Sequence, residues 1–222
     1  MVVQGFREAT PTEGLSDFCP WGNLAEQSID GRTLDMTVGK PSFGPYACCS
    51  YESPFGAITL AAGADGLKGL WFNDQRYFAG TLDAPMEPGE NVHLAAACVW
   101  LDEYFAGRNP AIAQLSLAPI GNEFRQVVWQ LLREIPLGQV RTYGDLAAEA
   151  AKRMGKTRGS ARAIGGAVGH NPISIIVPCH RVIGAGGNLT GFGGGIARKL
   201  QLLEHEGVDC SGFYIPKHST AP

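Results

Sequence analysis

Pro178-Cys179-His180-Arg181 sets a thiol, an imidazole and a guanidinium side by side at the end of the apolar run Ile175-Ile176-Val177. A thiol with an ordinary pKa of about 8.5 is only a few per cent thiolate near neutrality, and a neighbouring base or cation raises that fraction. The pattern points to nucleophilic chemistry by a sulfur anion at Cys179, with His180 as base. The apolar run reads as a short strand, on which adjacent side chains face opposite ways. The pair then needs a bend, which Pro178 favours, or a bridging water. An imidazole base also needs a carboxylate to orient its other nitrogen and favour its charged form. Leu202-Leu203-Glu204-His205-Glu206-Gly207 offers Glu204 and Glu206, and the residues alone do not choose between them. After the thiol, Gly191-Phe192-Gly193-Gly194-Gly195 can bring backbone N–H groups to a ligand, with Phe192 as one wall. It lacks the Lys-Ser/Thr ending of a phosphate loop and the G-x-G-x-x-G dinucleotide pattern.

These residues belong to a chain of 222, with 45% hydrophobic and 18% charged residues, enough for one large or two small domains with a proper core. That composition excludes disorder and collagen. No apolar run approaches the roughly 20 residues that span a bilayer, and the N-terminus lacks the basic flank and apolar core of a signal peptide. A soluble, cytoplasmic protein without a membrane partner is expected. The six cysteines (Cys19, Cys48, Cys49, Cys98, Cys179, Cys210) form no C-x-x-C pair, so neither a disulfide framework nor a zinc finger is written here. No metal and no cofactor are expected. The net charge of -3 hides an asymmetry: residues 1–120 carry 6 basic and 14 acidic groups, residues 121–222 carry 12 and 7. Only the second half suits a polyanion. Its densest stretch is Lys152, Arg153, Lys156, Arg158 and Arg162, with no acid between them.

The elements that must position the thiol follow from local signals. Residues 1–45 hold ten Gly or Pro and no apolar period, and read as a poorly structured extension. Around Asp65-Gly66, the apolar stretches Ile58–Leu60 and Leu67–Phe72 predict a hairpin. Asn91 can cap a helix that Gly107 ends, so residues 46–118 read as a small α/β domain. From 119 to 222 the signals become helical. Asn122 caps a helix with Phe124, Val127, Val128, Leu131 and Leu132 on one face. Thr142 and Asp145 form a capping-box-like pair for a second helix running to about Lys152. Ser160 caps a third, Ala161 to about Val168, which carries Arg162 at its start and Gly165-Gly166 inside. The last two form a helix-turn-helix candidate with a linker longer than usual. Each internal glycine costs about 1 kcal/mol relative to alanine, so something must approach that helix closely, either a neighbouring helix or a nucleic-acid backbone. A further helix through Ile196, Leu200 and Leu203 ends at the two glutamates.

Together these pieces resemble the O6-alkylguanine-DNA alkyltransferases, the methylated-DNA-protein-cysteine methyltransferases of direct repair. The resemblance rests on Pro178-Cys179-His180-Arg181-Val182, Gly169-His170-Asn171-Pro172, Ala161-Arg162-Ala163-Ile164-Gly165-Gly166-Ala167, Thr142-Tyr143 and Leu202-Leu203-Glu204-His205-Glu206-Gly207. More loosely it includes Ser53-Pro54-Phe55-Gly56 and Gly69-Leu70-Trp71-Phe72. It implies an α+β protein, with a ribonuclease-H-like α/β domain before a mostly helical one that holds the helix-turn-helix and the site. It implies Cys179 as alkyl acceptor, Glu206 as the carboxylate that polarises His180, and a water between His180 and Cys179. Asn171 is then the hinge asparagine, Arg162 the finger that fills the gap of an extruded base, and Tyr143 the proton donor beside the 3′ phosphate. Thr142 contacts a backbone phosphate. Ala161, Gly165 and Gly166 allow close approach in the minor groove. Backbone groups near Val182 and Gly193 read the guanine edge. The implied partner is double-stranded DNA carrying O6-alkylguanine, with O4-alkylthymine also accepted, bound by a monomer that can act cooperatively on DNA.

The chain also departs from that family. Phe192 stands where some relatives have tyrosine, which removes a hydroxyl from the pocket. Between Tyr143 and Arg162 the chain is longer than the short members, and the excess includes Lys152 and Arg153, read here as extra phosphate contacts. Two rival readings of the same residues remain at this point: a cysteine hydrolase using Cys179 and His180, and a non-enzymatic helix-turn-helix regulator.

Overall fold

The computed structural model describes residues 46–216; the extension expected over residues 1–45 lies outside the described residues. Strands β1 (Tyr46–Ser53), β2 (Gly56–Gly63) and β3 (Gly66–Phe72) form an antiparallel meander, and β4 (Met86–Pro88) adds to β1 in parallel, giving the order β3-β2-β1-β4. The hairpin expected at Asp65-Gly66 is the β2–β3 turn. Helix α1 (Val92–Phe105) covers the sheet through Leu94, Ala97, Cys98, Leu101 and Tyr104. Its start is fixed by Asn91, whose side chain accepts from the His93 N–H at 2.8 Å. All seven residues of β3 are buried, although it is an edge strand. Its free edge is closed in two places: Leu67 donates to the Ser116 carbonyl at 2.8 Å and accepts from the Ala118 N–H at 2.9 Å, and Leu70 donates to the Pro172 carbonyl and accepts from the Ser174 N–H, both at 2.8 Å. An open edge would leave backbone groups unpaired, and here the segment leading to Cys179 satisfies those of Leu70.

In the second half, α2 (Glu123–Arg133), α3 (Tyr143–Arg153) and α4 (Ala161–Gly169) pack on one another. All three expected caps form. Asn122 accepts from Arg125 N–H at 2.9 Å and Ser160 from Ala163 N–H at 3.3 Å, while Thr142 and Asp145 make the full capping box. Trp129 of α2 buries its indole and donates to the Ala167 carbonyl of α4 at 2.9 Å. A glycine at 159 is required by sterics, since a Cβ there would sit 1.9 Å from the Ala147 carbonyl oxygen. Two short strands, β5 (Arg141–Thr142) and β6 (Val182–Ile183), pair in parallel and bring the start of α3 beside the residues after the thiol. Helix α5 (Ile196–His205) closes the fold with Leu202 and Leu203 fully buried. Among the described residues no helix is long and apolar enough to cross a membrane.

One element differs from expectation. Ile175-Ile176-Val177 is not a strand but a run of tight turns, with Ile175 at φ 68, and Cys179–Arg181 form one turn of 3-10 helix. A buried apolar run is compatible with either form. The hydrogen bonds that decide come from Asn171 and from the edge of β3, neither of which lies in the run.

Candidate active site

Asn171 builds the turn that presents the thiol. Its side-chain oxygen accepts from Ile173 N–H at 3.1 Å, while its amide donates to the carbonyls of Val177 (2.7 Å) and Ile173 (3.3 Å) and to Cys179 Sγ (3.0 Å). It is 3% exposed, and Cys179 is 4% exposed. Successive side chains in a 3-10 turn are separated by about 120°, so Cys179 and His180 need not point apart as they would on a strand. The buried His180 ring places Nε2 2.8 Å from Glu206 Oε1, and its Nδ1, also buried, meets no protein partner. Glu206 rather than Glu204 is therefore the carboxylate on the imidazole; Glu204 is exposed on the last turn of α5.

Glu206 is the hub of a buried polar network. Arg181 donates through Nε to Oε2 (2.7 Å) and through Nη2 to Oε1 (2.8 Å), and its Nη1 reaches the Ile135 carbonyl at 2.6 Å. The Tyr104 hydroxyl of α1 donates to Oε1 at 2.9 Å. Burial pushes the Glu206 carboxyl up, but the hydrogen bonds and charges of His180 and Arg181 outweigh it and hold it well below the usual carboxylate range. For His180 burial wins over Glu206, and its pKa lies below the ordinary imidazole value, so the ring rests neutral.

The thiol itself corrects an expectation. Burial pushes the Cys179 thiol up from its ordinary value, and the Asn171 amide and the Lys199 charge offset this only in part. Cys179 thus rests as a neutral thiol, not the sulfur anion that adjacent base and cation suggested. Desolvation penalises an anion more than Asn171, Lys199 and the backbone N–H groups of Cys179 and His180 favour it, while the Arg181 guanidinium is engaged by Glu206.

Lys199, unnoticed in the sequence, is fully buried on α5. Its ammonium donates to the Val182 carbonyl and, at 2.8 Å, to the Thr190 carbonyl, and burial pushes its pKa down to about 8. It ties the strand after the thiol to the glycine loop. Tyr143, at the first position of α3, donates to the carbonyls of Thr190 (3.1 Å) and Gly191 (3.3 Å). Burial, then the nearby Cys179, raise its pKa, so its hydroxyl stays protonated. Gly191, at φ 74, could not carry a side chain, because a Cβ would lie 2.3 Å from the Tyr143 oxygen. Phe192 is buried with its ring edge-on to His180 at 6.5 Å between centroids.

The outer face is set by α4. Arg162 is exposed and has no carboxylate partner among the described residues. Ala161 is exposed; a Cβ on Gly166 would meet nothing within 4 Å, and one on Gly165 only the Tyr143 ring at 4.0 Å. The two glycines are thus not spacers against a neighbouring helix. Gly166, Gly193 and Phe192 line a pocket of about 190 Å³. Two expected phosphate contacts are already engaged. The Thr142 hydroxyl accepts from Asp145 N–H (3.1 Å) and donates to the Asp145 carboxylate (2.8 Å), and Arg153 is held by Glu134 (2.6 and 2.8 Å) and Glu149 (3.3 Å). Lys152 stays exposed. Among the described residues no group of three His, Cys, Asp or Glu side chains could hold a metal ion.

Residues 47–119 match the model of the 6-O-methylguanine DNA methyltransferase ribonuclease-like domain, and residues 123–208 match that of the family's DNA-binding domain. The chain belongs to the 6-O-methylguanine DNA methyltransferase family. It is 46% identical over 162 residues to the methylated-DNA–protein-cysteine methyltransferase of Mycobacterium leprae, covering 72% of this chain and 91% of the relative. Over 157 residues it is 44% identical to the protein of the same name from Methanosarcina acetivorans, covering 71% and 96%. Among solved structures it resembles Mycobacterium tuberculosis OGT in complex with DNA, with a TM-score of 0.61, 42% identity and 72% and 91% of the two chains covered. Membership decides the fold at the level of a ribonuclease-like domain before a helical DNA-binding domain. It also decides for a methyltransferase over a hydrolase or a regulator.

Proposed function

We infer that this protein repairs DNA directly, by moving the methyl group of O6-methylguanine onto its own Cys179. The observation that carries the assignment of residues is one constellation: a buried thiol hydrogen-bonded by Asn171, next to a neutral His180 backed by Glu206, with the half-buried Tyr143 phenol held by the Thr190 and Gly191 carbonyls near Cys179.

The geometry supports the following sequence. The base leaves the duplex at a cost of a few kcal/mol. Arg162 fills the gap from α4, which enters the minor groove with α3 as the other helix of a helix-turn-helix. The glycine face permits close approach to the groove. Backbone groups of Val182 and Gly193 read the guanine edge. As the purine arrives, the Cys179 proton passes through one water to His180 Nδ1, the nitrogen left unpartnered in the fold. Glu206 favours the resulting imidazolium. Sulfur then attacks the saturated carbon in line; a carbon–sulfur bond forms and the carbon–oxygen bond breaks, its electron pair returning to guanine. The base takes a proton from Tyr143, which the imidazolium replaces, so the thiol proton ends on guanine. Such an arrangement suits a carbon on thymine O4 equally. The product is a thioether with no hydrolytic exit, so each molecule acts once. We read residues 46–118 as the ribonuclease-like domain and 119–222 as the DNA-binding and active-site domain.

Incubation with a duplex containing O6-methylguanine, followed by weighing of the intact protein, should show the gain of a single methyl group. Cys179→Ser should abolish it. A methyl gain that survives this substitution, or repeated turnover, would overturn the assignment.

A further inference from the structure

The ribonuclease-like domain reaches the mouth of the site through one short segment, Gln75-Arg76-Tyr77. Each residue touches a different part of the machinery. Gln75, buried, accepts from the Ser174 hydroxyl at 2.8 Å in the turn before the thiol. Arg76 donates its backbone N–H to the Gly193 carbonyl of the glycine loop at 2.9 Å. The Tyr77 ring stacks on His170, at the end of α4, with 4.1 Å between centroids and 19° between planes. His170 is itself anchored to α4 through Nδ1 to the Gly166 carbonyl at 2.7 Å. Arg76 and Tyr77 thus complete the wall of the 190 Å³ pocket whose other sides are α4 and the glycine loop.

Two details mark this segment as more than a spacer. Tyr77 holds φ 61 and leaves 40% of a large aromatic residue in solvent, where an ordinary loop would place glycine or asparagine. The Arg76 guanidinium lies 4.8 Å above the Tyr77 ring, exposed. Among the described residues of 46–119 there are three Lys or Arg. Lys68 is paired with Asp65 and Arg108 with Glu103, whereas Arg76 has no carboxylate partner. Among the described residues of 46–119 the one lysine or arginine without a carboxylate partner therefore stands at the rim of that pocket, oriented by a ring that is in turn stacked on the end of α4. A guanidinium so held offers several N–H donors in a fixed fork, which suits a phosphate.

We propose that Arg76, aimed by the Tyr77–His170 stack, contacts a backbone phosphate of the DNA strand carrying the extruded nucleotide. The ribonuclease-like domain is then part of the DNA-binding surface. The inference rests on the functional reading above. It belongs to positioning of the strand and not to transfer chemistry, since phosphate contacts orient without reading sequence.

The test is binding of full-length protein, in a Cys179→Ser background, to a duplex carrying O6-methylguanine over a series of salt concentrations, with Tm measured for every variant. Arg76→Gln and Arg76→Met should each weaken binding about tenfold and reduce the slope of log K against log salt by about one. Arg76→Lys, which keeps the charge, should restore most of the slope. Tyr77→Ala, which frees the guanidinium and His170, should weaken binding with a smaller change in slope. If both neutral variants keep the parent's slope and Tm, Arg76 touches no phosphate and the proposal is wrong. Failure of the unsubstituted protein to gain a methyl from the same duplex would overturn the functional reading and the inference with it.

Discussion

Glu206→Gln removes one charge and no volume, and so probes the network behind His180. Glu206 accepts four hydrogen bonds, from His180, Tyr104 and twice from Arg181, with its side chain fully buried. A glutamine offers one acceptor oxygen and an NH2 group. Whichever way the amide is turned, its NH2 faces a donor, either Arg181 Nε or the group of His180, Tyr104 and Arg181 Nη2. The larger effect is on Arg181, 6% exposed, whose remaining partner is the Ile135 carbonyl. Leaving one member of a buried pair unpaired costs about 3–5 kcal/mol. At about 2–4 °C per kcal/mol for a protein of this size, Tm should fall by roughly 6–20 °C. Urea unfolding should show a lowered midpoint with an unchanged slope. Adding Arg181→Met to Glu206→Gln removes the orphan cation and should recover part of the loss. Glu204→Gln, on the surface, should stay within about 0.5 kcal/mol of the parent and barely affect transfer, whereas Glu206→Gln should slow it severely. A loss below about 1 kcal/mol for Glu206→Gln, or no recovery in the double variant, would show that Glu206 does not neutralise a buried cation.

Three further outcomes follow from the same geometry. Tyr143→Phe keeps the ring but loses the hydroxyl, and single-turnover transfer should slow by about a hundredfold or more; an unchanged rate would remove Tyr143 as the proton donor. Reversing Lys152 and Lys156 together should flatten the salt dependence of duplex binding by up to about two units, while Arg153→Glu should mainly cost stability through Glu134; an unchanged slope in the lysine double variant would show that this loop lies away from DNA. Acid should destabilise the fold in two steps. His180 is held below its ordinary 6.5 and Glu206 below its ordinary 4.5, so in both cases the unfolded chain binds more protons. Stability then falls as pH drops below about 6.5 and again below about 4.5. Unfolding curves that coincide between roughly pH 7 and pH 4 would contradict both shifts.

The local elements were legible because their signals are local. Asn91, Asn122, Thr142-Asp145 and Ser160 each satisfy N–H groups two or three residues away, so side-chain type and spacing suffice to place the helix starts. The thiol, imidazole and carboxylate were legible in kind, with Glu206 singled out only by resemblance. What tertiary structure decided is everything that depends on distant partners. Tyr104 meets Glu206 across 102 positions, and the edge of β3 bends the Ile175–Val177 run into turns. Burial holds Cys179 as a thiol and lowers Lys199, and Glu134 withdraws Arg153 from the basic run. The types of the reacting groups are written residue by residue. Their protonation states and free valences are not, because desolvation and pairing depend on which surfaces the fold brings together.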